Sequence, residues 1–271
     1  MPGQLILFVH GLNGHRYRTW GRFPLLFRDH THYDIGLYGY TSGYGRISKL
    51  SATFDMQAEE LAHQLRDCAY PQIVLIGHSM GGLLCMAAIR NLLDGRAPAA
   101  IDRIAGLVLI GTPQAGSTRV PFWARCLSTD PRLLATHSAT LTDIQRRFND
   151  HVIVSLFPQS YGSRFTVPTF AIVGTNDRWV TDLSATLHIP QWVISGCRTS
   201  SDAWSASPSK AEGICQKADV SGAIILHEFG ETGIQRTVLN CYSSGAKIGG
   251  AELMFRVVLK GVQAPRRLAS H

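Results

Sequence analysis

The sequence predicts an α/β fold with a mostly parallel β-sheet flanked by helices. A short apolar run, Leu5 to Val9, leads into a glycine loop, and a second run, Ile73 to Ile76, leads into a glycine-rich turn. Continuous apolar runs of this length are typical of strands buried on both faces, as in parallel sheets that helices cover. A strand within Tyr33 to Tyr44, a helix and the second run form one βαβ unit, so these strands are expected to lie parallel.

The other predicted elements continue this pattern. In chain order they are a helix from Asp55 to Tyr70, a helix after Ser79, a strand from Ile104 to Ile110, an irregular amphipathic helical segment over 121–157, a strand from Pro168 to Val173 and a last strand from Ala223 to Leu226. The residues His227 to Gly230 are then expected to form the exit loop of that last strand.

The composition is that of a globular protein with a sizeable core. The chain has 271 residues, of which 45% are hydrophobic and 17% charged. Its formal net charge is +7 and its pI is about 9.3, but the basic residues are scattered. This favours a basic surface over nucleic-acid binding, while attraction to anionic substrates or peripheral contact with a membrane stays open.

The cysteines and the N-terminal segment indicate in which cellular compartment the protein is expected. The six cysteines are dispersed without a C-x-x-C pair, so they form neither a zinc pattern nor a compact disulfide framework. The first apolar run is too short for a signal peptide, and no apolar stretch approaches the length of a membrane span. We therefore expect a cytoplasmic protein with reduced thiols.

The turn after Ile76 carries the strongest chemical signal. Gly77 and Gly81 flank Ser79 at two residues on either side, between a buried strand and a small-residue helix. A serine on such a sharp turn is held in a strained backbone conformation with its hydroxyl clear of the sheet, and the helix N-terminus favours negative charge that develops nearby. Ser79 is therefore predicted to be a nucleophile rather than part of a structural glycine turn.

Four motifs together resemble one family. They are V-H-G-L-N-G (Val9 to Gly14), G-H-S-M-G-G (Gly77 to Gly82), I-G-T-P-Q-A-G-S (Ile110 to Ser117) and V-G-T-N-D (Val173 to Asp177). In this order and spacing they resemble the α/β-hydrolase fold of the lipase-like serine esterases, over roughly the first 190 residues.

The resemblance implies several roles. The backbone N–H groups of Leu12 and Met80 would form the oxyanion hole, and Gly111 to Ser117 would border the active-site mouth. It also implies a helical lid over about residues 118–160, for which an ordinary helical insertion packed on the sheet is the alternative.

The acid and the base of a triad are predicted less directly. Asp177 follows a late strand, where the order Ser, Asp, His requires the acid, and Asp182 is the alternative. The family's histidine motif has no match in this chain. His227 after the last predicted strand is the candidate base, and His188 or no base at all are the alternatives.

The chain changes in character near residue 195. We predict a hydrolase core over 1–194 and an atypical region over 195–271, which either completes the core or is poorly ordered. The stretch from Thr199 to Ser209 is serine-rich and lacks periodicity. One hypothesis is a shifted reading frame in the source gene, which translation of the neighbouring frames would test.

The function predicted from these features is hydrolysis of carboxylic esters, of lipid or acyl type, through a Ser-His-Asp triad and an acyl-enzyme. The chemistry needs neither a metal nor an organic cofactor. An acyltransferase, thioesterase or amidase would use the same residues, and a non-catalytic hydrolase-like protein would lack the base. The substrate is expected to be a small-molecule or lipid ester, and the sequence predicts no oligomeric state.

Overall fold

The structure is a computed structural model of the 271-residue chain. It describes residues 3–21, 23–40, 54–117, 138–152 and 167–174, and the backbone of strands at 191–194, 223–230, 233–240, 242–243 and 246–247.

Strands and helices alternate along the first part of the chain. They are β1 (Gln4–Val9), α1 (Phe23–His30), β2 (Tyr33–Tyr38), α2 (Phe54–Asp67), β3 (Gln72–His78), α3 (Met80–Asp94), α4 (Pro98–Asp102), β4 (Ile104–Ile110), α5 (Ala139–His151) and β5 (Thr169–Gly174). The described strands that follow are β6 (Gln191–Ile194), β7 (Ala223–Gly230), β8 (Gly233–Asn240), β9 (Tyr242–Ser243) and β10 (Ala246–Lys247). The strands and helices predicted within the first 110 residues are confirmed within a few residues, whereas α1, α4, β6, β8, β9 and β10 were not predicted.

Eight strands form one sheet in the order β2-β1-β3-β4-β5-β6-β7-β8. All neighbouring pairs from β2 to β6 are parallel, whereas the pairs β6–β7 and β7–β8 are antiparallel. The prediction of a mostly parallel sheet is therefore confirmed. Because β1, β3, β4 and β5 run the same way, the segments that follow them meet at one carboxyl edge of the sheet.

Side chains on successive residues of β1 enter opposite faces of the sheet, and helices cover both faces. Phe8 contacts the rings of Trp20, Phe23 and Phe27, from α1 and the segment before it. Val9 lies in the hydrophobic cluster on the other face, which α2, α3 and α5 complete. This alternation is the two-residue period of a strand, and burial on both faces explains the unbroken apolar runs.

Part of the predicted lid segment is described, and it is a packed helix. In α5, Leu141, Ile144 and Phe148 are buried in the same cluster as α3. Arg147 pairs with Asp94 at the end of α3, and Arg90 of α3 pairs with Asp143. For α5 this is the arrangement of an ordinary helical insertion, and residues 118–137 and 153–160 of the predicted lid lie outside the described residues.

The end of the sheet corrects one detail of the sequence analysis. Residues His227 to Gly230 continue β7 instead of forming an exit loop, because all four pair with β8 and the first two also pair with β6. Two strands from beyond residue 194 thus extend the main sheet, while the predicted division of the chain at that residue stays a prediction. In the part of the chain that the structure describes, no helix combines the length and apolar character needed to cross a bilayer.

Candidate active site

Ser79 occupies the sharp turn between β3 and α3 at the carboxyl edge of the sheet. Its backbone has φ 53° and ψ −126°, in a region that non-glycine residues rarely adopt. Although Ser79 is the N-cap of α3, its side chain makes no capping hydrogen bond, and the residue is half-buried. Its hydroxyl is therefore not used to hold the helix end.

The turn from Gly77 to Gly81, called the elbow below, needs its two flanking glycines because of close backbone contacts. A Cβ on Gly81 would overlap the carbonyl oxygens of Val9 and His10, and one on Gly77 would overlap the backbone of Gly82. The strand and the helix can close around Ser79 only because these side chains are absent. The predicted G-x-S-x-G geometry is thus present in the backbone.

The glycine loop after β1 lies against the same serine. A Cβ on Gly11 would lie 2.8 Å from the Ser79 Cβ and 2.9 Å from the His78 carbonyl oxygen. The next residue, Leu12, is half-buried against the core. The Met80 N–H belongs to the first turn of α3, where backbone N–H groups have no acceptor within the helix. The Gly82 N–H in the same turn bonds the Ser79 carbonyl. Met80 directly follows Ser79, and Leu12 directly follows Gly11, which lies against Ser79.

A buried histidine holds the glycine loop. His10 is 1% exposed, and its Nδ1 lies 2.9 Å from the Gly11 carbonyl oxygen. Its Nε2 accepts a long, 3.5 Å bond from the Tyr40 N–H, and the Tyr40 hydroxyl donates to the His10 carbonyl at 2.6 Å. The two rings are stacked with centroids 4.3 Å apart. Desolvation by burial is the main cause that lowers the pKa of His10 from its ordinary value.

The third motif, Gly111 to Ser117, follows β4 at the same edge. Ser79 N–H bonds the Ile110 carbonyl at 2.9 Å, and the Thr112 side chain lies over Gly82. Thr112, Gln114 and Ser117 are buried polar residues of this loop. The loop therefore supports the elbow from the β4 side, which is consistent with its predicted position at the site.

Tyr40 is a residue of this site that sequence reasoning did not single out. Tyr40 lies two residues after β2, whose end lies at the carboxyl edge. Its position after a parallel strand was the signal that could have identified it, because the ends of such strands meet.

The predicted acid is not among the residues that the structure describes. Asp177 lies just beyond the described end of β5, and Asp177, its alternative Asp182 and the histidine alternative His188 all lie outside the described residues.

His227 is placed by its backbone register alone. It pairs with Val193 of β6, which pairs with Val173 of β5. Four strand spacings separate β7 from β3, and neighbouring strands lie about 4.8 Å apart, so the His227 backbone is roughly 19 Å from Ser79 along the sheet. The role of His227 as the base stays a prediction.

Metal or cofactor sites were not predicted from the sequence. Among the described residues, no group of three or more His, Cys, Asp or Glu side chains is arranged to hold a metal ion. The expectation that the chemistry needs no cofactor stays a prediction.

Comparison of the sequence with models of known protein families finds a match to one family. A sequence model of the alpha/beta hydrolase family matches residues 6–211, which is more than half of the chain. No protein among curated sequences matches.

Several solved structures are similar in fold. Aspergillus fumigatus lipase B aligns with a TM-score of 0.49 and 13% identity over 68% of this chain and 40% of that one, so this chain spans less than half of its length. A mature Bacillus licheniformis lipase aligns with a TM-score of 0.47 and 17% identity over 69% and 80% of the two chains. The monoacylglycerol lipase of Paleococcus ferrophilus aligns with a TM-score of 0.48 and 14% identity over 72% and 85%.

Proposed function

The chain belongs to the alpha/beta hydrolase family, and from this premise we propose that it is a serine esterase that cleaves carboxylic esters. The family match supports hydrolase activity as the general class. The observation that carries the finer proposal is the strained turn at Ser79, with the glycine loop of β1 packed against it. A positive φ at a non-glycine residue costs of the order of 1–3 kcal/mol, and such strain clusters at active sites.

In the proposed mechanism the Ser79 Oγ attacks the ester carbonyl while a histidine removes its proton. Asp177 orients that histidine and stabilises its charged form. The backbone N–H groups of Leu12 and Met80 hold the negative oxygen of the tetrahedral intermediate. The histidine returns the proton to the leaving alcohol, and water then hydrolyses the acyl-enzyme by the same steps.

The substrate we propose is a lipid or acyl ester, with peripheral contact between the protein and a membrane surface. The support for this contact is the segment that follows the glycine loop, where Arg16, Tyr17 and Arg18 are exposed. The Arg16 guanidinium lies 4.9 Å from the centre of the Tyr17 ring, and the Arg16 side chain packs on Gly39 directly after β2. These residues therefore lie at the carboxyl edge that also holds Ser79.

Turnover of a short-chain p-nitrophenyl ester tests the proposal. We expect hydrolysis by the wild type and a loss of about 10⁴-fold to 10⁶-fold in kcat for Ser79→Ala, whose folding is checked by thermal unfolding. A fluorophosphonate probe should add its mass to Ser79 in the wild type and not in the variant. Equal background rates and no labelling of a folded wild type would contradict the proposal.

The same assay identifies the acid and the base. Asp177→Asn should lower kcat by about 10⁴-fold, because the imidazole loses its orientation. Comparison of His227→Gln with His188→Gln decides between the two candidate bases, with the exposed His63→Gln as the matched control. The base is the histidine whose substitution removes turnover.

A non-catalytic hydrolase-like protein is the second candidate, because the histidine motif of the family has no match in this chain. It predicts a folded protein without Ser79-dependent turnover. An acyltransferase, thioesterase or amidase would share the labelling of Ser79, and it would be recognised by faster transfer to an added alcohol or amine, or by preference for a thioester or amide.

A further inference from the structure

The carbonyl group of Gly11 is held from two sides. The Gly14 N–H donates to it at 3.0 Å, and the His10 Nδ1 lies 2.9 Å away. Since a carbonyl oxygen can only accept, the His10 Nδ1 must carry the proton in this contact. The two donors together occupy both lone pairs of the oxygen.

The orientation of this carbonyl also sets the direction of the next N–H group. The peptide bond between Gly11 and Leu12 is planar and trans, as no cis bond occurs among the described residues. In a trans peptide the C=O and N–H groups point in opposite directions. A fixed Gly11 carbonyl therefore fixes the Leu12 N–H, which is a proposed oxyanion donor.

The His10 ring is in turn held by Tyr40. The phenol ring stacks on the imidazole at an interplanar angle of 7°, and the Tyr40 N–H approaches Nε2, which must then accept. An Nε2 that accepts and an Nδ1 that donates define one neutral tautomer. The Tyr40 hydroxyl also bonds the His10 carbonyl, which lies against Gly81 in the first turn of α3.

We propose that Tyr40 is a positioning residue that holds neutral His10 as the Nδ1–H tautomer and thereby aims the Leu12 N–H at the reacting carbonyl oxygen. The consequence for catalysis rests on the proposed function of Ser79. Tyr40 lies 28 residues after Leu12 in the chain, and only the pairing of β1 with β2 brings its segment to the loop.

Kinetics of two substitutions test the role. Tyr40→Phe keeps the stacked ring and loses the hydroxyl, and we expect kcat for the p-nitrophenyl ester to fall about tenfold; Tyr40→Leu loses both contacts and should cost about 100-fold, near the effect of one lost oxyanion donor. KM should stay within about threefold, because the donor acts mainly on the transition state. Tyr33→Phe, at the first residue of β2, is the matched control.

Two His10 variants separate positioning from general packing. His10→Asn can still donate a side-chain N–H to the Gly11 carbonyl, whereas His10→Phe keeps a ring without a donor. We expect His10→Asn to retain at least about tenfold more kcat than His10→Phe. Equal losses in these two variants, or wild-type kcat in both Tyr40 variants, would overturn the proposal.

A spectroscopic measurement of the His10 tautomer tests the proposal without requiring turnover. Long-range ¹H–¹⁵N spectra of the imidazoles should show His10 as the neutral Nδ1–H tautomer at about pH 7.5 in the wild type. In Tyr40→Leu we expect a tautomer mixture, because loss of the stacked ring and of the hydroxyl bond frees the Tyr40 backbone N–H to move away from Nε2. A charged or Nε2–H His10 in the wild type overturns the proposal even if the esterase activity is confirmed. A wild type that is inactive and is not labelled by the fluorophosphonate probe would refute the proposed esterase function. The expected tautomer change between that protein and Tyr40→Leu would still support the role of Tyr40 in positioning His10.

Discussion

At the scale of single residues, the candidate site depends on contacts that leave no room for a side chain. The strained conformation of Ser79 is supported by two backbone hydrogen bonds, from Ser79 N–H to Ile110 and from Gly82 N–H to Ser79. The glycines beside it allow α3 to approach the end of β1. Packing around the turn therefore offsets the cost of the strain.

Gly81→Ala is expected to destabilise the protein by about 3 kcal/mol or more, because its Cβ would meet the carbonyl oxygens of Val9 and His10, which cannot rotate away. Gly106→Ala in β4 is the control, since its Cβ would meet only atoms at 3.7 Å and 4.0 Å. Urea unfolding of both variants measures the difference. Equal stabilities of the two would contradict this account of the elbow.

His10 should contribute a pH dependence to stability. Its pKa is lowered from 6.5 by burial in the folded chain, so below about pH 6.5 the unfolded chain binds this proton more readily. The free energy of unfolding should therefore fall as pH drops below about 6.5, and this group should contribute no slope above it. Urea unfolding between about pH 5 and pH 8 should show a smaller slope in His10→Asn than in the exposed His63→Asn. An unchanged slope in His10→Asn would show that the group titrates normally.

At the scale of elements, helix α5 illustrates how an irregular sequence segment becomes a fixed layer. Its apolar positions recur on one face and are buried against α3, while Asp143 receives ion pairs from Arg90 and Arg147. The ion pairs are at least partly exposed and contribute little, so the buried face supplies most of the stability.

Phe148→Ala is expected to lower the free energy of unfolding by about 3–5 kcal/mol, since Phe148 is fully buried between α5 and α3. Arg146→Ala, two residues away on the same helix and exposed, should change it by less than about 0.5 kcal/mol. Denaturant unfolding measures both. A small effect of Phe148→Ala would mean that α5 is held loosely, as a lid would be.

At the scale of the whole molecule, basic side chains are placed beside the candidate site. The net charge of +7 alone says little about partners, because the basic residues are scattered along the chain. In the fold, however, Arg16 and Arg18 lie at the carboxyl edge, next to the loop that contacts Ser79. Such a placement attracts anionic surfaces toward the site.

The double variant Arg16→Glu, Arg18→Glu is expected to weaken sedimentation with anionic phosphatidylserine vesicles at low salt by about tenfold or more, since each basic residue near such a surface contributes about 1 kcal/mol. The variant Arg28→Glu, Arg66→Glu has the same net charge and changes exposed residues on α1 and α2. Equal binding by the two variants would contradict a contact at this edge. Binding by the wild type should weaken as salt is raised.

The sequence by itself determined the parallel sheet and the elbow at Ser79, because these depend on local patterns. Unbroken apolar runs indicate a strand that is buried on both faces of the sheet, and glycines at fixed spacing indicate a close contact between backbone segments only a few residues apart. The strand Ile104–Ile110 and the turn after β3 were therefore predicted with nearly their observed bounds.

Only the tertiary structure decided which distant residues meet. Pairing of β1 with β2 brings Tyr40 onto His10, and the antiparallel pairing of β7 places His227 within a strand, roughly four strand spacings from β3. The position of an imidazole after an apolar run carries no information about strand order. Strand order is set by pairing across the whole sheet, and that pairing decides whether a residue can reach Ser79.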